Sequence, residues 1–278
     1  MTRRDRLPAV PQGQFIPRLL HQTYPRAELP EPLQRNVDGL RRANPAWEHR
    51  LYDDAAIERF IADHYGAGVL AAYHRIAPEY GAARADLFRY LLLYRLGGIY
   101  LDVKSSFTRP IDSVLRLDEH YILSGWRNRA GEPHAGFGRH ADLADLPHGE
   151  FQQWHIIAAP GHPFLRAVIE AVLDGIDRYG ARRTGTGYIG VLRLTGPIAY
   201  TRAIAPLVDL YPCTRIDNES VIGLEYSVLG KSEHQGLFKK HYTQNTSPVV
   251  RRPGLPGWLD RAYVRARNLK HRLRPERG

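Results

Sequence analysis

The stretch AARADLFRYLLLYRLGGIYLDV, residues 82–103, constrains this chain more than any other. Leu87, Tyr90, Leu91 and Tyr94 recur at helical spacing with no Gly or Pro among them, so residues 82–96 read as a helix. Gly97-Gly98 supplies the positive φ that ends a helix. Residues 99–103 then read as a strand tipped by Asp102. A helix, a double glycine, a strand and an acid in that order make an α/β crossover, and ligands of such folds gather at strand carboxyl ends.

The flanking sequence fits this frame. Residues 15–21 read as a short buried strand, with Pro17 at its start or edge. Leu33, Val37 and Leu40 mark a helix over residues 31–43. Residues 48–52 read as a strand, followed by a helix through Phe60 capped by Asp53 or Asp54. Strands are expected at 121–126, 154–158 and 221–224, and helices at 163–179 and from Gly196-Pro197. The Gly-, Pro- and His-containing residues 131–149 read as a surface loop near the site, with Asp142 and Asp145 either facing an acceptor or capping a turn.

The helix and the strand together carry a chemical constellation. Asp86 and Arg89 lie three apart and share a helix face. Tyr100, Asp102 and Lys104 alternate along an extended segment and share a strand face. The Gly97-Gly98 turn can fold these faces toward one crevice holding two carboxylates, a guanidinium, an ammonium and a phenol. A sugar nucleotide has matching needs: cations for its diphosphate, carboxylates for its hydroxyls, an aromatic face for its base.

FIPRLLHQTY, WEHRLYDD and ARADLFRYLLLYRLGGIYLDVKSSF, taken in that order, resemble the glycosyltransferase sugar-binding region family that contains the DXD motif, grouped as family 32 glycosyltransferases. The resemblance covers residues 15 to about 110 and weakens toward residue 242. It implies a GT-A type nucleotide-diphospho-sugar transferase fold, an α/β architecture with a mixed, mostly parallel sheet flanked by helices. It also implies transfer with retention from a UDP- or GDP-sugar to a glycan or lipid-linked acceptor, in polysaccharide or glycolipid synthesis. By position, Asp86, Arg89, Asp102 and Lys104 would be the catalytic set, and His21, Gln22, Thr23 and Tyr100 would join Asp86, Arg89 and Asp102 at the donor. A divalent cation, Mn²⁺ or Mg²⁺, is implied, with Asp102 and a C-terminal group such as His241 as ligands. Lys104 departs from the pattern, because the third DXD residue is usually Asp and a charged lysine cannot ligate a metal. Either Lys104 neutralises the diphosphate itself, or it points away and the metal stays.

The chain divides into a basic arm (1–14), a glycosyltransferase domain (15–250) and a basic amphipathic C-terminal segment (251–278). Of the net charge of +10, residues 251–278 carry +7 and residues 1–18 carry +3, which leaves a nearly neutral body. That distribution argues against a nucleic-acid-binding protein, which would spread basic and aromatic residues over its face. It suits an anionic membrane surface, touched by a helix over residues 257–274 with Trp258, Leu259, Ala262, Tyr263, Ala266 and Leu269 on one side. The charged start of the chain lacks a secretion signal's apolar stretch, so a cytoplasmic enzyme, peripheral at the inner membrane face, is expected. A sugar-nucleotide-binding module without catalysis is the competing reading.

Overall fold

Alternate residues of one sheet feed two separate cores, and this arrangement places the site. The computed structural model describes residues 6–116, 118–230 and 245–272. In chain order the elements are β1 (Leu19–Thr23), α1 (Glu31–Ala43), β2 (Glu48–Tyr52), α2 (Asp54–Arg75), α3 (Gly81–Leu96), β3 (Gly98–Leu101), β4 (Ser106–Phe107) and β5 (Tyr121–Ser124). They continue with β6 (His155–Ala158), α4 (Pro163–Asp177), α5 (Ala181–Thr184), α6 (Gly187–Leu194), α7 (Pro197–Ile204), β7 (Thr214–Ile216), β8 (Leu224–Glu225) and α8 (Gly254–Arg272).

Six strands form a sheet in the order β2-β1-β3-β6-β5-β7. The pairs β1–β2, β1–β3 and β5–β7 are parallel, while β3–β6 and β5–β6 are antiparallel. This is the mixed, mostly parallel sheet expected. Tyr100, Ile156, Ala158, Tyr121 and Leu123 point into the core built with α2, α3, α4 and α6. Leu20, Ile99, Leu101, Ile122 and Ile157 point the other way, onto Leu40, Trp47 and Ile111. The period of two in strand side chains thus sorts the sheet between two layers.

Helix α3 is buried almost all round: ten of its sixteen side chains are buried, including Asp86 and Arg89. A helix of that kind runs through a core rather than over it. It ends at Gly97, with φ 67°, whose N–H donates to Leu93 O at 2.8 Å. Gly98 follows at φ 99°, and a Cβ there would stand 2.6 Å from Leu19 O. Both the backbone angle and the close approach of β1 demand glycine.

Several expected boundaries shift. The first strand begins at Leu19, because Leu19 N–H turns back to Pro17 O at 2.8 Å. Strand β3 stops at Leu101 rather than Val103. The helix opened by Asp53, whose carboxylate accepts from Ala56 N–H at 2.7 Å, runs to Arg75 across a kink at Gly66. The strand expected over 221–224 is a 3-10 turn (Glu219–Ile222) capped by Asn218, broken by Gly223 at φ 69°. Only Leu224–Glu225 is extended there, pairing antiparallel with β4. Among the described residues, no helix is long and apolar enough to cross a membrane.

Candidate active site

Strand β3 brings the chain to the carboxyl edge of the sheet, where it turns at once: Ser105 N–H donates to Asp102 O at 2.8 Å. Three groups pin this turn. Gln22 Nε2 donates to Asp102 O at 3.3 Å, Asn36 Nδ2 donates to Val103 O at 3.1 Å and Ser105 O at 2.9 Å, and Val228 N–H donates to Lys104 O at 2.9 Å. Asp102 and Lys104 therefore project from a fixed turn, not from an extended strand.

Across from the turn, α3 presents Asp86 and Arg89, which are 4% and 5% exposed. Arg89 Nη2 lies 3.2 Å from Asp86 Oδ1 and 3.2 Å from Asp102 Oδ1, so one guanidinium joins the helix to the turn. Its Nη1 donates to Gln153 O at 2.6 Å and to Gln153 Oε1 at 2.8 Å. Gln153 Nε2 donates to Asp86 Oδ1 at 3.2 Å, and Thr195 Oγ1 donates to Asp86 Oδ2 at 2.9 Å. Arg89 Cζ sits 4.5 Å from the centroid of Tyr100, whose hydroxyl is 2.9 Å from Thr23 Oγ1. The ring of Tyr100 is thus a platform for Arg89.

Burial pushes the Asp86 carboxyl up to about 6, against the pull of Arg89 and the bonds from Thr195 and Gln153. The group is ionised at neutral pH but titrates well above an ordinary aspartate. Burial opposes charge on Arg89, but Tyr100, Asp102 and Asp86 outweigh it and hold the guanidinium protonated. Burial also raises Tyr100 above the usual tyrosine range, so it is a neutral hydroxyl.

Thr23, Asp86, Arg89, Tyr100, Asp102 and Lys104 all line one cleft of about 1130 Å³. Trp126, Phe137, Trp154 and Tyr226 give the same cleft an aromatic lining, and Glu150 lies among them with His140 Nε2 2.7 Å from its carboxylate. Residues 136–140 of the expected surface loop line it as well.

Two expected donor contacts are corrected. His21 is fully buried, with Nε2 3.1 Å from Gly97 O and Nδ1 3.2 Å from Tyr52 OH. Burial pulls its imidazole down to about 3, so it stays neutral and braces the helix-to-strand turn. Gln22 is also buried, holding Asp102 O with Nε2 and His49 Nε2 with Oε1 at 2.8 Å. Neither lines the cleft; their side chains hold the backbone that does. Asp142 and Asp145 are engaged by Arg193 and Arg202 rather than by the cleft. His241 lies outside the described residues.

The fit of a divalent cation can be judged from the donors. Mn²⁺ and Mg²⁺ take several oxygen ligands. Asp102 offers one carboxylate, with Oδ1 already facing Arg89, and the next cleft side chain along the turn is the cation Lys104. Among the described residues no group of three or more His, Cys, Asp or Glu converges to hold a metal ion. The described donors do not by themselves suit one.

Sequence reasoning missed Gln153, Thr195 and Tyr226. Gln153 precedes β6, which runs antiparallel to β3 and so brings its leading end to the carboxyl edge of β3. Nothing in the sequence says which strand neighbours β3. Thr195 was visible only as the residue before the helix start at Gly196-Pro197.

Comparison with known proteins gives a consistent result. Residues 30–120 match the family described as glycosyltransferase sugar-binding region containing DXD motif. The chain is 29% identical over 187 residues to inositol phosphoceramide mannosyltransferase 3 of Schizosaccharomyces pombe, covering 67% of this chain and 44% of that protein. It is 27% identical over 210 residues to the initiation-specific alpha-1,6-mannosyltransferase of the same yeast, covering 70% and 49%. The chain thus spans about half the length of the curated relatives it matches. Among solved structures, the PaToxG glycosyltransferase overlays with a TM-score of 0.49 at 16% identity, over 82% of this chain and 86% of that one.

Proposed function

We propose that this chain, whose residues 30–120 are a glycosyltransferase sugar-binding region of the DXD-motif family, moves a sugar from a nucleoside diphosphate donor to an acceptor hydroxyl. One observation carries the reading: Arg89 fixes Asp86 and Asp102, each at 3.2 Å, at the wall of a cleft large enough for such a donor. A buried carboxylate, Asp86, and a half-buried one, Asp102, held so close are stable together as anions only with a cation between them. The arrangement presents them, already oriented, to the hydroxyls of a bound sugar.

In the reaction the bond between the anomeric carbon and the diphosphate oxygen breaks with its electron pair on the diphosphate. The acceptor oxygen bonds to that carbon from the same face, which retains its configuration. The acceptor proton passes to the departing phosphate oxygen, so no separate base is needed. Asp86 and Asp102 accept from sugar hydroxyls, and preorganised charge supplies the stabilisation. Both relatives' names point to mannose as the sugar, and one names inositol phosphoceramide as what is mannosylated; the aromatic lining suits the apolar face of an acceptor sugar.

The C-terminal helix fits a peripheral place for the enzyme. It docks through Asp260, whose Oδ1 accepts from Ala181 N–H at 2.8 Å, and through buried Val264. Leu255, Trp258, Leu259 and Leu269 stay outside, 67%, 57%, 52% and 59% exposed, with Arg261 and Arg265 beside them. An apolar stripe with a tryptophan among arginines suits anionic lipid.

The test is release of UDP or GDP from a panel of donor sugars. The wild-type chain should hydrolyse or transfer at least one donor, and Asp102→Asn should lose that turnover while melting at an unchanged temperature. Equal turnover by the variant would remove Asp102 from the mechanism. Donor binding without any turnover would favour a non-catalytic binding module.

A further inference from the structure

A departing diphosphate gains negative charge, and catalysis needs a cation aimed at it. Arg89 is not available for that task. Its Nη2 faces two carboxylates and its Nη1 faces Gln153, so its charge is spent inside the wall. Lys104 is placed differently. It leaves the pinned turn into the cleft with its Nζ 3.2 Å from Tyr226 OH and 4.2 Å from the centroid of that ring. Among the described residues no carboxylate is paired with it. Tyr226 is itself tied to the turn, since its carbonyl accepts from Ser105 Oγ at 2.8 Å. One N–H of the ammonium is engaged by the tyrosine hydroxyl, which leaves two donors for phosphate oxygens.

We propose that Lys104, steadied by Tyr226, is the fixed counter-ion of the donor diphosphate, and that it stands in place of a divalent cation. The inference rests on the donor reading above. It resolves the contest over this position in favour of charge supplied by the chain itself. An ammonium already in the cleft repels a second cation, and among the described residues the turn offers only Asp102 to a metal that wants several oxygens.

The experiment measures binding of UDP and GDP to the full chain by calorimetry, first in EDTA and then with Mn²⁺ or Mg²⁺. Wild type should bind one of them in EDTA, with metal changing the affinity less than threefold. Lys104→Ala should weaken nucleoside diphosphate binding at least tenfold in EDTA while leaving the bare nucleoside unaffected. Tyr226→Phe should weaken it by a smaller factor. Lys104→Asp, which restores the acid of the DXD pattern, should bind only when Mn²⁺ is present, and bound Mn²⁺ should appear in its electron spin resonance spectrum. Wild-type binding that EDTA abolishes and Mn²⁺ restores would overturn the inference and leave the donor reading intact, as would a Lys104→Ala chain that binds as well as wild type. No binding of either nucleotide under any condition would sink both.

Discussion

Helices α3 and α8 depart from ordinary burial in opposite directions. The first buries an aspartate and an arginine, and the second leaves two leucines, a tryptophan and a further leucine in solvent. A buried charge and an exposed apolar stripe are the two placements that carry information, because exposed charges and single exposed apolar residues need no explanation. In α3 the buried charges are paired inside the protein: Arg89, Thr195 and Gln153 surround Asp86, and of the Arg89 nitrogens Nε is left without a hydrogen-bond partner among the described residues. In α8 nothing within the described residues covers the stripe. The difference separates a wall whose buried charges are paired within the chain from an exposed stripe for which an anionic lipid surface is the proposed partner.

The sharpest way to break this contrast is Arg89→Ala. It leaves Asp86 buried and unpaired, and should cost about 3–5 kcal/mol in urea unfolding. A loss below ~1 kcal/mol would mean the wall is not held by charge. The next effect is the pH dependence of the same pair. Folding raises the Asp86 carboxyl to about 6, so the folded chain keeps that proton longer than the unfolded one. Stability from this group therefore falls as pH rises from about 4 to about 6, by about 3 kcal/mol, and flattens above. The difference between wild type and Asp86→Asn isolates it, and activity that requires the carboxylate should rise with its midpoint near pH 6. A difference independent of pH would contradict the burial argument.

Gly98→Ala tests the hinge between helix and strand. Its φ of 99° and the 2.6 Å approach to Leu19 O predict a loss of more than ~1 kcal/mol in thermal unfolding. The smallest effect on stability belongs to α8. Replacing Leu255, Trp258 and Leu259 together with serine should move unfolding by no more than about 0.5 kcal/mol per site. The same variant should lose flotation with anionic liposomes at low salt. Large destabilisation would make the stripe part of the fold after all.

The two helices also show what a sequence can reveal. Helix α3, its double glycine and β3 were legible because spacing, a stop signal and an apolar run agree over twenty residues. The apolar stripe of α8 was legible only in part: Trp258, Leu259 and Leu269 are exposed as expected, but Tyr263 packs against the core and Leu255, before the expected start, joins the stripe. His21 and Gln22 were misjudged, because a polar residue at a strand tip reads alike whether it faces a ligand or braces a neighbour. Their partners, Gly97 O, Tyr52, His49 and Asp102 O, are distant in sequence or follow from sheet order. Gln153 and Tyr226 escaped for that reason too. The Lys104 substitution was visible at once, yet its meaning depended on Tyr226, 122 residues away.

The central claim is that the wall built by Asp86, Arg89 and Asp102 seats a nucleoside diphosphate sugar. Its most direct measurement is the melting temperature of the full chain with and without saturating UDP- and GDP-sugars, beside Asp102→Ala. Ligand at a hundred times its Kd adds about 2.7 kcal/mol to the folded state, so one donor should raise the wild-type midpoint by several degrees and leave the variant's almost unmoved. Identical midpoints for wild type with every donor and with none would contradict the account.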